Sequence, residues 1–410
     1  MHLSNDSDLT TDDDCKQLPG NSRAPSPVSQ RSGELAPFHV MAILDRARQL
    51  EAQGRSIIHL EVGEPDFATP ASISAAGIGA LNAAKTHYTA ASGLPELRQA
   101  VADYYRRRFN LAIDAKRIII TPGASGALQL ALLSLLDVGQ RVLLSDPGYP
   151  CNRNIAQLLG IKVDAAPVSA DTRYQLDAAA VAQYWQADTR AAMVATPSNP
   201  TGTIIPGTQL AGLLDAVKDR GGHLIVDEIY QGLVYDVADS TVLSLSDECF
   251  VINSFSKYFG MTGWRLGWMV VPEAFSKPID RISQNIFLAP STIAQHAALV
   301  ALQAETEKVL QQRRDEFKCR RDFLLPALTA MGFKVPVRPE GAFYIYAQCD
   351  AFTDNSFDWS GELLEQQGVA ITPGVDFGDY DAHRYCRFAY TRPVEVLAQA
   401  VERIGRFIGA

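Results

Sequence analysis

From about Gly33 onward, the chain alternates short apolar runs with segments whose apolar residues recur at helical spacing. Runs rich in Leu or β-branched residues predict strands at 118–121, 142–145, 193–196, 224–227, 251–254 and 266–271. Apolar residues at i, i+3 and i+4 lie between most of these runs, most clearly at 127–136 and 209–218. Strands that alternate with helices predict crossover connections, so we expect an α/β fold with a mostly parallel sheet covered on both faces.

The two ends of the chain depart from this pattern. Residues 1–33 are rich in Ser, Asp, Asn, Pro and Thr and nearly free of large apolar side chains, which predicts a disordered N-terminal tail. The C-terminal part predicts a charged helix near 311–323, strands near 342–347 and 369–372, and a closing helix from Val394. We therefore expect a second, smaller α+β domain.

Composition and charge exclude several classes of protein. The chain has 410 residues, of which 47% are hydrophobic, and its net charge of −9 disfavours a non-specific nucleic-acid binder. No apolar run approaches the roughly 20 residues that cross a bilayer, and no apolar segment follows a basic start as in a signal peptide. The 6 cysteines form no C-x-x-C pair and the 7 histidines show no ligand spacing, so we expect no metal, no disulfide framework and a cytoplasmic location.

The turn TPGASGA at 121–127 is a candidate phosphate site. Gly123 and Gly126 permit a sharp turn between a predicted strand and an apolar helix, and the Ser125 hydroxyl adds a donor to the free amides of the helix N-terminus. A glycine-rich turn that binds nothing is an equally simple explanation. The turn is not G-x-G-x-x-G or a P-loop, so neither a dinucleotide nor a nucleoside triphosphate is favoured.

Further polar residues follow the predicted strands. Tyr149 stands in a DPGYP turn, Asn199 in PSNPTG, and Asp227 with Glu228 directly after a buried strand. Open α/β sheets bind their ligands at the carboxyl ends of the strands. For the acidic pair, capping of a following turn is the simpler alternative.

A lysine at the end of a buried strand is the strongest single signal. In the segment 251–270 a strand leads into Ser254, Ser256 and Lys257, then a glycine-rich loop and Arg265. A partly desolvated lysine with a lowered pKa forms Schiff bases with carbonyl compounds. The alternating pattern RYCRFAY places Arg387 in a late strand, where it is a candidate for bidentate pairing with a substrate carboxylate.

In this order and at these intervals, the motifs resemble the class I/II pyridoxal-phosphate-dependent aminotransferases of fold type I, the aspartate aminotransferase superfamily. The resemblance covers about 34–410. It is carried by VGEPDF (62–67), HYTAASGLPELR (87–98), TPGASGAL (121–128), DPGYP (146–150), PSNPTG (197–202), VDEIY (226–230), SFSKYFGMTGWRLGW (254–268), PEGAFY (339–344) and CRFAY (386–390).

The resemblance implies a role for each of these residues. Lys257 would carry pyridoxal 5'-phosphate as a Schiff base and move the Cα proton, and Asp227 would keep the pyridine nitrogen protonated. Asn199 and Tyr230 would hydrogen-bond the ring's 3-oxygen, and Tyr149 would stack on the ring. The phosphate would be bound by Ala124, Ser125, Ser254, Ser256 and Arg265.

Substrate and partner residues also follow from the resemblance. Arg387 would bind the substrate's α-carboxylate, assisted by Asn199 and the Gly63 backbone. Tyr88 would reach the phosphate bound by a neighbouring subunit, which implies a homodimer with shared active sites. The implied fold has a large domain around a seven-stranded sheet and a small domain from both chain ends, with boundaries at 34–72, 73–314 and 315–410.

The implied activity is transfer of an amino group from an α-amino acid to a 2-oxo acid, by a ping-pong mechanism through pyridoxamine phosphate. Gly126 lacks a side chain that some dicarboxylate-specific relatives use, which favours a neutral or aromatic donor in a pocket that includes Phe38, Tyr88 and Ile286. A lyase on the same scaffold, of the carbon–sulfur β-lyase or cyclopropane-carboxylate synthase type, remains an alternative. A non-catalytic transcription regulator is disfavoured, since 33 residues ahead of the domain are too few for a winged helix.

Overall fold

The computed structural model describes residues 29–33, 35 and 38–409. Its α-helices are α1 (Gln30–Gly33), α2 (His39–Ala52), α3 (Ala71–Asn82), α4 (Pro95–Phe109), α5 (Gly123–Leu135), α6 (Pro150–Leu158), α7 (Ala178–Tyr184), α8 (Gly207–Lys218), α9 (Glu273–Ile286), α10 (Thr292–Ala301), α11 (Ala304–Ala330), α12 (Ser356–Gln367) and α13 (Val394–Ile408). Its strands are β1 (Ile58–His59), β2 (Ile118–Thr121), β3 (Arg141–Asp146), β4 (Lys162–Pro167), β5 (Thr189–Ala195), β6 (His223–Asp227), β7 (Phe250–Ser254), β8 (Gly267–Val270), β9 (Tyr344–Gln348), β10 (Val369–Ala370), β11 (Thr372–Pro373) and β12 (Tyr385–Ala389).

The central sheet has seven strands in the order β2-β8-β7-β6-β5-β3-β4. Strand β8 runs antiparallel to β2 and β7, and the other pairs are parallel. The prediction of an α/β fold with a mostly parallel seven-stranded sheet is therefore confirmed. The sequence pattern missed β4, an edge strand that pairs with β3 alone and keeps an apolar core residue at only one of its positions.

Alternation along the inner strands sorts their side chains between the two faces of the sheet. In β6, Leu224 and Val226 pack into one apolar cluster and Ile225 into another. In β7, Val251 joins the first cluster and Ile252 the second. Successive residues of a strand point to opposite faces. A residue that continues one of these strands therefore lies on the face set by this alternation. The face determines whether its side chain can reach the site.

The predicted helix at 209–218 illustrates how the sequence sets the element ends. Helix α8 follows directly after Pro206, whose fixed φ suits the start of a helix, and ends at Lys218 before Gly221 at φ +67. Its buried side chains recur at helical spacing and face the core: Leu210, Leu213, Leu214 and Val217.

A second set of strands joins the early and late parts of the chain. Strands β11, β12 and β9 form a three-stranded antiparallel sheet, and β1 pairs in parallel with β10. The strand predicted near 369–372 is divided into β10 and β11, with Ile371 between them. The domain boundaries at 34–72, 73–314 and 315–410 stay predictions, and helix α11 runs unbroken across 314–315.

Most of the predicted disordered tail, residues 1–28, lies outside the described residues. The disorder of the tail stays a prediction. At its end, Gln30–Gly33 form a short helix, and Arg31 Nη1 donates to Leu158 O at 3.0 Å. None of the helices in the described part combines the length and apolar composition needed to cross a membrane.

Candidate active site

A cavity of about 220 Å³ opens where β5, β6 and β7 end and α5 and α6 begin. Except for Tyr88, every residue that the sequence predicted to bind the cofactor or the substrate carboxylate lines this cavity: Gly63, Ala124, Ser125, Tyr149, Asn199, Asp227, Tyr230, Ser254, Ser256, Lys257, Arg265 and Arg387. Residues that are far apart in sequence therefore meet at one edge of the sheet, as the topology of parallel strands requires.

Lys257 follows β7 by three residues and extends its side chain into the cavity. Its Nζ donates to Gly63 O at 2.6 Å and lies 5.9 Å from the centre of the Tyr230 ring. Burial lowers the pKa of Lys257 to about 8, an effect that Arg387 and Arg265 reinforce. A larger neutral fraction at neutral pH makes this amine a nucleophile and a proton acceptor.

Asp227 ends β6 on the cavity side. Its Oδ1 accepts a hydrogen bond from Ile229 N at 3.0 Å, and burial raises its pKa to about 6. The neighbouring Glu228 falls on the opposite face and does not line the cavity. The acidic pair that the sequence singled out is therefore divided, with one carboxyl group facing the cavity and the other buried behind it.

One end of the cavity has the chemistry of a phosphate site. The Arg265 guanidinium lies over the first turn of α5, where a Cβ on Gly123 would stand 2.6 Å from Arg265 Nη2. Gly123 also adopts φ +71, so this position requires glycine. Ser254 Oγ donates to Ser256 Oγ at 2.9 Å on the adjoining turn. Helix amides, hydroxyls and a guanidinium converge as anion sites require.

Arg387 lies at the other end, on β12, and is only 4% exposed. It donates to Asn199 Oδ1 at 2.8 Å, to Thr372 Oγ1 at 3.1 Å and to Glu61 O. Its guanidinium carbon lies 4.4 Å from the centre of the Tyr344 ring. Within the described residues no acceptor meets the buried Nε of Arg387. The fold thus fixes Arg387 in place and leaves its Nε–H without a hydrogen-bond partner among the described residues.

Tyr344 belongs to the motif PEGAFY, and the sequence predicted no role for it. Tyr344 OH shares a hydrogen bond of 2.8 Å with Tyr230 OH. A Cβ on Gly63 would lie 1.8 Å from Tyr344 Oη, so the glycine of VGEPDF makes room for this tyrosine. The signal that could have found Tyr344 is its position at the start of β9, beside the strand that carries Arg387.

The remaining predicted pocket residues divide between cavity and surface. Phe38 lines the cavity, with its ring centre 6.3 Å from that of Tyr149 in an edge-to-face arrangement. Ile286 and Tyr88 do not line it, and they are 43% and 81% exposed. No group of three or more potential metal ligands occurs in the part of the chain that the structure describes.

The chain is similar to known proteins over most of its length. Residues 55–404 match the family "Aminotransferase class I and II". Valine–pyruvate aminotransferase of Mycobacterium tuberculosis is 36% identical over 383 residues, which is 93% of this chain and 98% of the relative. Aspartate/prephenate aminotransferase of Thermus thermophilus is 33% identical over 388 residues, covering 93% of this chain and 99% of the relative.

Solved structures give the same result. An aminotransferase from Mycobacterium tuberculosis superimposes with a TM-score of 0.91 at 35% identity, covering 94% of this chain and 99% of that one. The aspartate aminotransferase of Thermus thermophilus with maleate has a TM-score of 0.88 at 32% identity, covering 93% and 99%.

The chain belongs to the class I and II aminotransferases, a family of fold type I enzymes. It is a pyridoxal-phosphate-dependent aminotransferase, and its substrates are an amino acid and a 2-oxo acid.

Proposed function

We propose that this enzyme transfers the amino group of a neutral or aromatic α-amino acid to a 2-oxo acid by a ping-pong mechanism. The observation that carries the proposal is the charge of the cavity wall. Among the described lining residues, the cationic side chains are Lys257, Arg265 and Arg387. We assign Lys257 to the chemistry, Arg265 to the cofactor's phosphate and Arg387 to the substrate's α-carboxylate. No cationic side chain among these lining residues then remains for a side-chain carboxylate.

The rest of the wall is suited to apolar side chains. Five residues from the early part of the chain and from α6 supply it: Phe38, Val40, Met41, Val62 and Ile155. A carboxylate placed against such a surface would lose its hydration without gaining a partner. One relative is named for valine, which is a neutral donor of the kind proposed here. Another is named for aspartate and prephenate, so the donor class has to be decided by experiment.

The chain's own residues fit the cofactor. Arg265, the Ser254–Ser256 turn and the N-terminal amides of Ala124 and Ser125 form an anion cradle that a side chain at position 123 would fill. Asp227 offers a buried carboxylate without an ion-pair partner among the described residues. We assign the phosphate to the cradle, the pyridine nitrogen to Asp227, the ring face to Tyr149, and the 3-oxygen to Tyr230 and Asn199.

Pyridoxal phosphate supplies an aldehyde that bonds to amines and a ring that withdraws electrons from the substrate's Cα. Lys257 Nζ then moves the proton at that carbon, for which its lowered pKa is suited. Arg387 binds the α-carboxylate and so orients the Cα–H bond. Asn199 connects the two functions, since its Oδ1 accepts from Arg387 and leaves its amide N–H groups for the ring oxygen.

We also propose a homodimer with shared active sites. Large apolar side chains are exposed on α3, at the end of α9 and in the loops that follow these two helices: Ile78, Leu81, Tyr88, Ile286 and Leu288. Thr292 Oγ1 donates to His87 O at 2.7 Å and holds Tyr88 beside these helices. Exposed large apolar side chains support the proposal of an interface. We assign Tyr88, which lies outside the cavity of its own chain, to the cavity of a partner subunit.

A cytoplasmic location is proposed on the spacing of the cysteines, which includes no C-x-x-C pair. The lyase alternative has no specific support, because the relatives and structures compared above are aminotransferases.

The donor class is tested by steady-state kinetics with valine, phenylalanine and aspartate at a fixed 2-oxo acid concentration. We expect kcat/KM for the better neutral or aromatic donor to exceed that for aspartate by roughly tenfold or more, because an unpaired buried carboxylate is costly. Aspartate as the preferred donor would refute the assignment of the donor class while leaving the aminotransferase activity intact.

A further inference from the structure

Three of the residues assigned to the cofactor have a polar neighbour in sequence that is buried but does not line the cavity. The pairs are Asp227 with Glu228, Tyr230 with Gln231, and Ser254 with Asn253. The three neighbours are 1%, 3% and 2% exposed. Strand alternation places Glu228 and Asn253 on the face opposite to the cavity.

A continuous series of hydrogen bonds joins these neighbours, and we call Glu228, Gln231 and Asn253 the buried amide chain. Gln231 Nε2 donates to Glu228 Oε2 at 3.0 Å. Asn253 Nδ2 donates to Gln231 Oε1 at 3.1 Å. Ser254 N donates to Asn253 Oδ1 at 2.8 Å, so the series ends on the backbone of the turn assigned to the phosphate.

Both ends of the chain of hydrogen bonds are anchored. Glu228 Oε1 accepts from Val242 N at 2.8 Å, and the backbone N of Glu228 donates to Ile252 O at 2.8 Å. At the other end, Ser254 Oγ accepts from Ser256 N at 3.0 Å and donates to Ser256 Oγ. Glu228 accepts and Ser254 N donates, so the orientation of both intervening amides is determined.

A buried network of this kind has a large effect on geometry. Each member loses a partner if its neighbour is removed, and an unpaired polar group inside a protein is costly. The members therefore hold one another in register. Since Ser254 N is the last donor, the position of the Ser254–Ser256 turn relative to β6 depends on the whole series.

We propose that the buried amide chain is a positioning device that sets the Ser254–Ser256 turn for binding the cofactor's phosphate. The inference rests on the proposed assignment of that turn to the phosphate. It assigns a role to Glu228, the half of the acidic pair that the cavity does not use. The three residues act through the turn and do not touch the cofactor themselves.

The test compares two ligands of the cofactor-free protein, pyridoxal phosphate and pyridoxal, which differ only in the phosphate. Gln231→Met keeps the side-chain length and removes all three hydrogen bonds of the amide, those with Glu228, Asn253 and Ser240 O. We expect the Kd of pyridoxal phosphate to rise about tenfold, the effect of one lost buried hydrogen-bond link, and the Kd of pyridoxal to change by less than about twofold. Both constants are measured by absorbance titration.

The matched control is Gln348→Met, the same substitution on β9, where the amide donates to Tyr385 OH at 2.7 Å away from the phosphate end. This variant should leave the ratio of the two dissociation constants unchanged. A role of Gln231 in stability alone would lower the melting temperature of the cofactor-free protein and leave the ratio at its original value, and that result would overturn the proposal.

Ser256→Ala separates this proposal from the assignment on which it rests. On its own, Ser256→Ala should weaken binding of pyridoxal phosphate selectively, and adding Gln231→Met should then have little further effect. If Ser256→Ala leaves the ratio unchanged, the phosphate assignment fails and the positioning role fails with it. If Ser256→Ala changes the ratio and Gln231→Met does not, only the positioning role fails.

A second variant covers the case in which Gln231→Met does not fold. Glu228→Gln is isosteric, but its single amide oxygen can accept from only one of the two donors that meet the carboxyl group now, Val242 N and Gln231 Nε2. Because Val242 N is a fixed backbone donor, we expect the amide hydrogens to face Gln231 and to disrupt the series of hydrogen bonds as far as Ser254 N. We expect the same selective loss of pyridoxal phosphate binding. Equal affinity changes for pyridoxal and its phosphate would contradict the proposal.

Discussion

The two arginines that line the cavity are held in opposite ways. Arg387 lies inside strand β12, almost fully buried, with partners from three separate parts of the chain. Arg265 follows a short loop at φ +54, is exposed, and donates to Thr262 O at 3.1 Å. The end of the cavity that we assign to the substrate carboxylate is therefore preformed by the fold, whereas the end that we assign to the phosphate relies on a loop, a helix terminus and the Ser254–Ser256 turn.

The difference indicates where binding energy is used. A preformed guanidinium loses little freedom when it pairs with a carboxylate, so it can orient each incoming substrate. The exposed arginine is assigned instead to the phosphate of a cofactor that stays with the protein through many turnovers. We thus expect substitutions at the two ends to change different measured quantities.

The largest effect is expected at Lys257, which lies between the two ends. Lys257→Ala removes the amine that we assign to cofactor attachment and proton movement, so steady-state turnover should be abolished. Circular dichroism should show that the fold is kept, because the substitution removes a side chain from a cavity wall. Turnover at a rate near that of the wild type would contradict the role of Lys257.

The next largest effect distinguishes the two arginines directly. Arg387→Ala should lower kcat/KM for every amino acid tested by a factor equivalent to about 1.5–3 kcal/mol of lost charge-assisted pairing. Arg265→Ala should instead raise the Kd of pyridoxal phosphate in a titration of the cofactor-free protein. A loss of kcat/KM confined to dicarboxylic substrates in Arg387→Ala would contradict the role of this arginine. A weaker binding of pyridoxal phosphate in Arg387→Ala than in Arg265→Ala would contradict the distinction between the two ends of the cavity.

A smaller effect on stability is expected at Asp227. Burial raises its pKa from 3.8 to about 6, so the folded cofactor-free protein gains a contribution from the protonated carboxyl that is fully present below about pH 4. This contribution is lost as the pH rises to about 6. Asp227→Asn removes the cost of the buried charge and should raise the free energy of unfolding at pH 7 by roughly 1–3 kcal/mol.

Urea unfolding of the cofactor-free wild type and Asp227→Asn between pH 4 and pH 8 measures this difference. The gain of the variant should grow from pH 4 to pH 6 and stay constant above. A variant that is no more stable than the wild type at pH 7 would show that Asp227 is compensated by contacts other than those described. The same variant should lose most of its activity, since the carboxylate is assigned to the ring nitrogen.

Much of the fold could be predicted from the sequence because the inner strands contain continuous apolar runs, such as 224–226 in β6 and 250–252 in β7. The pattern located β2, β3, β5, β6, β7 and β8, and it missed the edge strand β4 and the two-residue strand β1. Strand β1 begins the alternating run IHLEV at 58–62, but only its first two residues pair, with Val369 and Ala370 from the far end of the chain. Local patterns carry no information on such pairings.

The cavity residues were predictable for a related reason. Lys257, Asp227, Asn199 and Tyr149 each follow a strand of a parallel sheet, and topology gathers these positions at one edge. The partners of Arg387 were not predictable, because Glu61 O and Thr372 reach it only once distant strands have paired. The strand pattern alone did not show which half of the acidic pair faces the cavity, and it was the family resemblance that selected Asp227.

The most direct test of the central claim is a single half-reaction of the cofactor-loaded protein with a panel of amino acids and no 2-oxo acid. We predict that neutral and aromatic donors change the cofactor's absorption spectrum and release one equivalent of the matching 2-oxo acid per active site, with the amino group retained until a 2-oxo acid is added. Continuous release of ammonia or a thiol, with the original spectrum persisting, would contradict an aminotransferase and indicate a lyase.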